Sequence, residues 1–343
     1  MSEVVAKQGK TPVGSDSAAL TCKVFRHGRP GGDLIHLDRI SEILEEGNSL
    51  VWLDVIDPGP HDLDVLQDEF SLHPLAIEDA VQAHQRPKIE EYEGYYFLDV
   101  QAVTIEGGAL RFHEIAIFAG ANFLVTVRHQ PAFAIDEVEE RWKAHPEQLR
   151  RGGGFLLYTI LDTVVDGYFP VVEAFETEVD GVENRLLGSR HLSDREVLLQ
   201  IFSMKRDAQQ FRHAALPMRD ILAPIIRGDL HLFGEDEIVY YRDVYDHAVR
   251  VVDQLDSMRD LIQSALDIHL SMVANRQGEV TKQLTVIATI FLPLSFIVGF
   301  FGQNFGVLVD HISSGPSFWF LGIGSELLAV SIMLAYFKRK HWF

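Results

Sequence analysis

One cysteine in 343 residues leaves no partner for a disulfide, so the chain is not a cross-linked secreted scaffold. Basic residues are also scarce, with 30 Lys+Arg against 50 Asp+Glu and a net charge of −20 with neutral His. Binding nucleic acid needs a basic face to neutralise phosphates, and a chain this acidic is not expected to take it as a partner. The 15 His residues show no paired ligand spacing, and His113-Glu114 is not followed by the second His of a zinc-protease helix. Gly9-Lys10-Thr11 has Val4 where a phosphate loop requires glycine. No catalytic constellation emerges, so no enzyme is expected. The N-terminus has no basic-then-apolar run, and no signal peptide is expected.

Charge is missing altogether from residues 284–309, a stretch of 26 residues. As a helix it reaches about 39 Å, more than a ~30 Å hydrocarbon core needs. Residues 317–337 carry one charge, Glu326, and form a second candidate span behind a short linker. A carboxylate inside a span is costly, so Glu326 is expected to be protonated or turned toward a polar group such as Ser295 or Thr289, with proton coupling as its functional reading. The linker has no Lys or Arg, whereas Arg276 and Lys282 precede the first span and Lys338, Arg339 and Lys340 follow the second. That asymmetry predicts both termini in the cytoplasm. Only three of the 30 bases and two of the 50 acids follow residue 283, so the preceding part carries a net charge of −21. A field of that sign draws cations toward the membrane, although it is equally what a soluble acidic domain carries.

The composition divides the chain further. Residues 1–20 are small and polar and read as a flexible tail. Strand-like runs at residues 50–55, 95–105, 114–119 and 122–127, the last two parted by Gly120-Ala121, alternate with short helices at 61–70 and 74–83. Residues 21–150 are therefore read as a cytoplasmic α/β domain. After Gly152-Gly153-Gly154 the strand signal ends. Residues 151–234 read as a helical hairpin, with long apolar-periodic stretches at 155–187 and 193–226 and Ser193 as a candidate N-cap. Proline is absent from residues 235–292, where Val244, Val251, Met258, Ala265 and Met272 recur every seven residues and Ala248, Leu255 and Ile262 fill the companion position. That is a packing seam, and continuing it into the first span predicts one helix of about 67 residues, ~100 Å long.

Down the first span, helical steps pass Asp267, Ala274, Gly278, Thr281, Leu284 or Thr285, Ala288, Leu292, Ser295, Gly299 and Gly302. Two spans cannot enclose a water path, so a conducting stripe requires several copies about an axis. The alternative is that small residues only let two membrane helices approach closely.

At the outer end stands Gly302-Gln303-Asn304, preceded by Phe300-Phe301. This triplet resembles the Gly-Met-Asn signature of CorA-type divalent-cation transporters, and residues 284–294 (LTVIATIFLPL) are similar to the preceding run of that family. So are His73-Pro74-Leu75, Glu78-Asp79, His84-Gln85-Arg86-Pro87-Lys88, the run YRDVYDH at 241–247, and the tail FKRKHW at 337–342. The resemblance implies an α+β cytoplasmic domain followed by a long stalk helix and two C-terminal transmembrane helices, assembled as a funnel-shaped homopentameric channel in the plasma (inner) membrane. Its segments would be the stalk and pore helix at 235–306, an external loop at 307–316, a second span at 317–337 and a basic tail at 338–343.

The implied function is uptake of Mg²⁺, with Co²⁺ and Ni²⁺ as further substrates. Gly302, Gln303 and Asn304 form the selectivity filter, and Asp267, Gly278, Thr281, Leu284, Ala288, Leu292, Ser295 and Gly299 line the pore. A carboxamide ring suits an ion that dehydrates reluctantly, because it holds the hydrated ion by hydrogen bonds. Asn304 also fits a helix C-cap. Gln303 replaces the signature Met, a position that also varies in zinc transporters similar to ZntB, so Zn²⁺ is the alternative substrate. A non-conducting membrane-anchored metal sensor is the other alternative. Gly278 stands where relatives often carry Asn. The resemblance further implies a regulatory Mg²⁺ between Asp79 and Asp243 of a neighbouring copy, with Glu78 and Asp246 assisting. The plainer reading makes Asp79 a helix N-terminal charge and pairs the stalk acids with Arg242 or Arg250.

Overall fold

Strand β3 (Ser49–Ile56) is buried at every position but its last, the mark of a strand covered on both faces. It lies near the middle of a seven-stranded mixed sheet with β1 (Ala19–Arg26), β2 (Arg29–Pro30), β4 (Lys88–Tyr92), β5 (Tyr95–Glu106), β6 (Ala109–Gly120) and β7 (Phe123–Arg128). The spatial order is β2-β1-β3-β7-β6-β5-β4. Among the described residues, only β3 and β7 run parallel, with Val51 opposite Phe123 and Ile56 opposite Arg128. The computed structural model describes residues 19–26, 29–30, 37–82, 86–129, 133, 135–149, 152–188, 194–230, 234–303, 306–312, 314–340 and 342. Residues 1–18, most of the expected tail, lie outside these, as do Ser193, His84 and Gln85.

One face of the sheet packs Val51, Leu53, Val55, Phe97, Phe118 and Val125 against α1 (Ile40–Glu45), α2 (Pro60–Phe70) and α3 (Pro74–Val81). The other face meets α4 (Ile135–Ala144), where Trp142 sits edge-on to Trp52 with ring centroids 4.8 Å apart. Helices α6 (Gly153–Asp166), α7 (Tyr168–Leu187) and α8 (Asp194–Ile226) follow, after the single-turn α5 (Pro146–Leu149). The stretch read as one helix over 155–187 is thus two, broken at Gly167.

The glycine run before α6 has a steric reason. Gly152 adopts φ +110°, and a Cβ on Gly153 would run into the Gly120 carbonyl oxygen. Only glycine lets α6 start this close to the β6–β7 turn.

Helix α9 (Glu235–Phe301) has 67 residues, the length the proline-free heptads imply. The chain divides into two compact units, Met1–Ser264 and Ala265–Phe343. Within the first, Val244, Ala248, Val251, Leu255, Met258 and Ile262 are all buried. Tyr241 anchors the start of this seam by donating to the Gly154 carbonyl at 2.6 Å.

In the second unit α9 continues to Phe301, followed by α10 (Gly306–Ile312), α11 (Gly315–Ser317), a π-helical turn (Phe318–Ile323) and α12 (Gly324–Arg339). The linker expected as loop therefore holds a helix of seven residues, too short to give a periodic signal. Among the described residues, three segments are long and apolar enough to cross a membrane. One, Gly153–Leu186, is largely buried inside the first unit, which accounts for its apolarity. In the other two almost nothing is buried, and Phe291, Leu292, Phe296, Trp319 and Phe320 are exposed. Each such side chain left in water forgoes about 1.5–3 kcal/mol, so this surface requires lipid or further protein.

Beside the parallel pair, Asp54 is 2% and Arg128 3% exposed. Arg128 donates to Asp54 through Nε at 2.9 Å and Nη2 at 2.7 Å, and Thr126 Oγ1 adds a bond at 2.6 Å. Replacing Arg128 with Met strands a buried carboxylate. The expected loss is about 3–5 kcal/mol, with Asp54→Leu/Arg128→Met recovering much of it, as denaturant unfolding followed by Trp fluorescence would measure.

Candidate ion path and cation sites

Asp267, Gly278, Thr281, Leu284, Ala288, Leu292, Ser295 and Gly299 are all exposed on α9. The hydroxyls of Thr281 and Thr285 donate to the carbonyls of Gln277 and Thr281, each at 2.8 Å. Their protons are thereby committed to the helix, and their oxygen lone pairs remain for a cation or its water. The helix ends at Phe301, where Gly302 N–H donates to the Val298 carbonyl at 2.9 Å and Gln303 N–H to the Phe300 carbonyl at 3.3 Å. Asn304 lies outside the described residues.

The four acids of the expected regulatory site fall on two helices. Glu78 is exposed at the outer side of α3 and accepts from Gln82 Nε2 at 2.9 Å. Asp79 stands in the last turn of that helix, so the reading of it as an N-terminal helix charge is wrong. Its Oδ2 meets Lys88 Nζ at 2.6 Å, and the same ammonium reaches Glu90 Oε1 at 2.7 Å. Asp243 and Asp246, one turn apart on α9, are exposed and form no ion pair among the described residues. The pairing with Arg242 or Arg250 is absent there, and Arg250 stacks instead over Phe169 with its guanidinium 5.6 Å from the ring centroid.

Sequence reading missed a third group. Asp162 and Asp166, one turn apart on α6, meet His247 of α9, with ligand atoms all within 4.8 Å of one another. His247 Nδ1 is 3.4 Å from Asp166 Oδ1, and Arg141 pairs with Asp162. Burial raises the Asp162 pKa, an effect that the Arg141 hydrogen bond opposes. Beside them Tyr158 is pushed up to about 12, first by burial and then by Asp162, with Asp243 and Asp166 adding to it. Two carboxylates and an imidazole at this spacing can hold a divalent cation. The i,i+4 spacing of Asp162 and Asp166 was the available signal, but their His partner is 81 residues further on.

Among known proteins, the family model described as CorA-like Mg²⁺ transporter protein matches residues 47–339. The chain belongs to this family. It is 31% identical over 305 residues to the cobalt/magnesium transport protein CorA of Thermotoga maritima, covering 87% of this chain and 84% of that one. It is 33% identical over 293 residues to the putative metal ion transporter YfjQ of Bacillus subtilis, covering 85% and 89%. The complete structure of the CorA magnesium transporter from Methanocaldococcus jannaschii has the same fold, with a TM-score of 0.78 at 22% identity over 94% of this chain and 98% of that one. The CorA architecture read from the sequence is thus the observed one, a mixed-sheet domain, a long helix and C-terminal helices able to span a membrane.

One buried acid of this CorA-like chain titrates unusually. Asp99 on β5 is 3% exposed and its carboxyl is pushed up to about 7 by burial first, then by Glu114 and Asp79, with Lys88 pulling the other way. The unfolded carboxyl releases its proton near pH 4, so between about pH 4 and 7 the folded chain binds more protons. Stability should therefore fall as pH rises through that window. Asp99→Asn is expected to flatten the fall, measured as the thermal midpoint of the detergent-solubilised protein between pH 4.5 and 8 (roughly the window bounded by the two pKa values).

Proposed function

We propose that the chain is a channel-like transporter that admits Mg²⁺, with Co²⁺ and Ni²⁺ as further substrates, and that five copies form its pore. The observation that carries this reading is the exposed stripe of small and hydroxyl residues along the second part of α9, on a segment apolar enough to span a membrane. Exposed apolar side chains flank the stripe, and lipid and neighbouring copies would cover them. The relatives named cobalt/magnesium transport protein support the choice of ions.

Mg²⁺ holds its waters tightly, so a ring of Asn304 carboxamides would recognise the hydrated ion and release it again, where a carboxylate ring binds too firmly. Gly302 and Gln303 add carbonyl and amide groups at the same end. Thr281 would offer a hydroxyl ring between the Gly278 level and hydrophobic constrictions at Leu284 and Leu292, with Ala288, Ser295 and Gly299 keeping the path wide. Asp267 would concentrate cations at the inner end. Both termini lie on the cytoplasmic side of the inner membrane in this reading, placing the acidic domain where it senses internal Mg²⁺. There Asp79 of one copy and Asp243 of the next share a divalent cation, with Glu78 and Asp246 in its outer shell. Two carboxylates facing across an interface repel, so an ion between them favours the closed packing and its loss loosens it.

Mg²⁺ influx into proteoliposomes with low internal Mg²⁺ should be driven by membrane potential and lost in Asn304→Ala. Entry of Zn²⁺ alone would place the chain with zinc transporters, and no flux of either ion would make it a sensor. Asp79→Ala/Asp243→Ala should keep transporting at millimolar internal Mg²⁺. Unchanged inhibition in that variant would remove the regulatory pair.

A further inference from the structure

The assignment of Asp79 to a divalent cation, on which this inference rests, meets an obstacle in the chain itself. Its carboxylate already has a cation. Lys88 Nζ lies 2.6 Å from Asp79 Oδ2 and 2.7 Å from Glu90 Oε1, with the Phe97 ring centroid 5.6 Å away. A metal ion taking Asp79 must displace that ammonium or share the carboxylate against its repulsion.

The sheet supplies somewhere for the ammonium to go. The β4–β5 register sets Lys88 directly opposite Asp99. Opposed residues of antiparallel strands point to one face with Cβ atoms about 5 Å apart. Asp99 is 3% exposed, and its Oδ1 is buried without a hydrogen-bond partner. An unsatisfied buried oxygen is costly, and an arriving ammonium satisfies it. The Lys stem, flexible through four carbons and 29% exposed, can make the short move between the two acids.

We propose that Lys88 is a displaceable counter-ion with two seats, on Asp79 when no divalent cation is bound and on Asp99 when one is. The tethered ammonium competes with the metal and raises the concentration at which the site fills. Asp99 offsets part of that competition by receiving the displaced charge. Lys88 is in this sense a threshold-setting residue, and it need not touch the metal.

The test uses full-length protein in nanodiscs and the Mg²⁺ concentration that half-protects it from chymotrypsin. Lys88→Met should lower that midpoint roughly tenfold, the scale of one charge-assisted pair. Lys88→Arg should leave it within about twofold, because the pair survives. Asp99→Asn should raise it about threefold, since the displaced ammonium loses its second seat. Lys88→Gln reads the same competition should Lys88→Met fail to assemble. A midpoint unchanged or raised in the Lys88→Met and Lys88→Gln variants, while Asp79→Asn raises it, would overturn the counter-ion and leave Asp79 as a ligand. A midpoint untouched by Asp79→Asn would overturn both.

Discussion

Val244, Ala248, Val251, Leu255, Met258 and Ile262, the seam of α9 within the first unit, are each no more than 2% exposed. Burying six such side chains contributes of the order of 10 kcal/mol before chain entropy is charged against it. The fold of the first unit depends on that seam, because without it the parts of α6, α7 and α8 that face α9 would meet water. Beyond Ala265 the same helix has no such cover. His269 and Val286 are buried, but most of the remaining positions are exposed. One helix thus meets two demands, a packed seam first and a membrane-compatible surface afterwards.

The parts legible in the sequence are those with long-range periodicity or strict steric need. The heptads from Val244 onward, the absence of proline and the charge-free run at 284–309 foretell α9, and strand-like apolar runs bounded by turn residues foretell β3, β5, β6 and β7. Short or marginal elements were not foreseen. Strand β1 begins at Ala19, inside the segment read as tail, because it takes its order from pairing with β3 and from the Lys23–Glu139 ion pair. Strand β4 was hidden in a motif, and its importance comes only from register, which sets Lys88 against Asp99. The cluster of Asp162, Asp166 and His247 escaped for the same reason, since nothing local joins residues from α6 and α9.

The acidic excess is also distributed with meaning. Asp54, Asp162 and Asp256 are paired with Arg128, Arg141 and Arg212. Those pairs fix packing and leave little free field. Asp243, Asp246 and Asp253 sit exposed on α9. A negative potential in the first unit therefore comes chiefly from acids that the fold leaves uncompensated, and these are the groups from which a mobile cation gains most.

Tyr241 is fully buried and bonded to the Gly154 carbonyl, and a Cβ on Gly154 would collide with Glu237 of the same helix turn. A shift of α9 by one residue along α6, about 1.5 Å, would break the bond. The start of α9 is therefore pinned like the root of a beam. Asp243 lies two residues from the pin, so its backbone keeps a nearly constant position in its own subunit. Burial of Val244, Ala248 and Val251 extends that hold past Asp243, so the acids near the root serve as a stationary reference within their own unit.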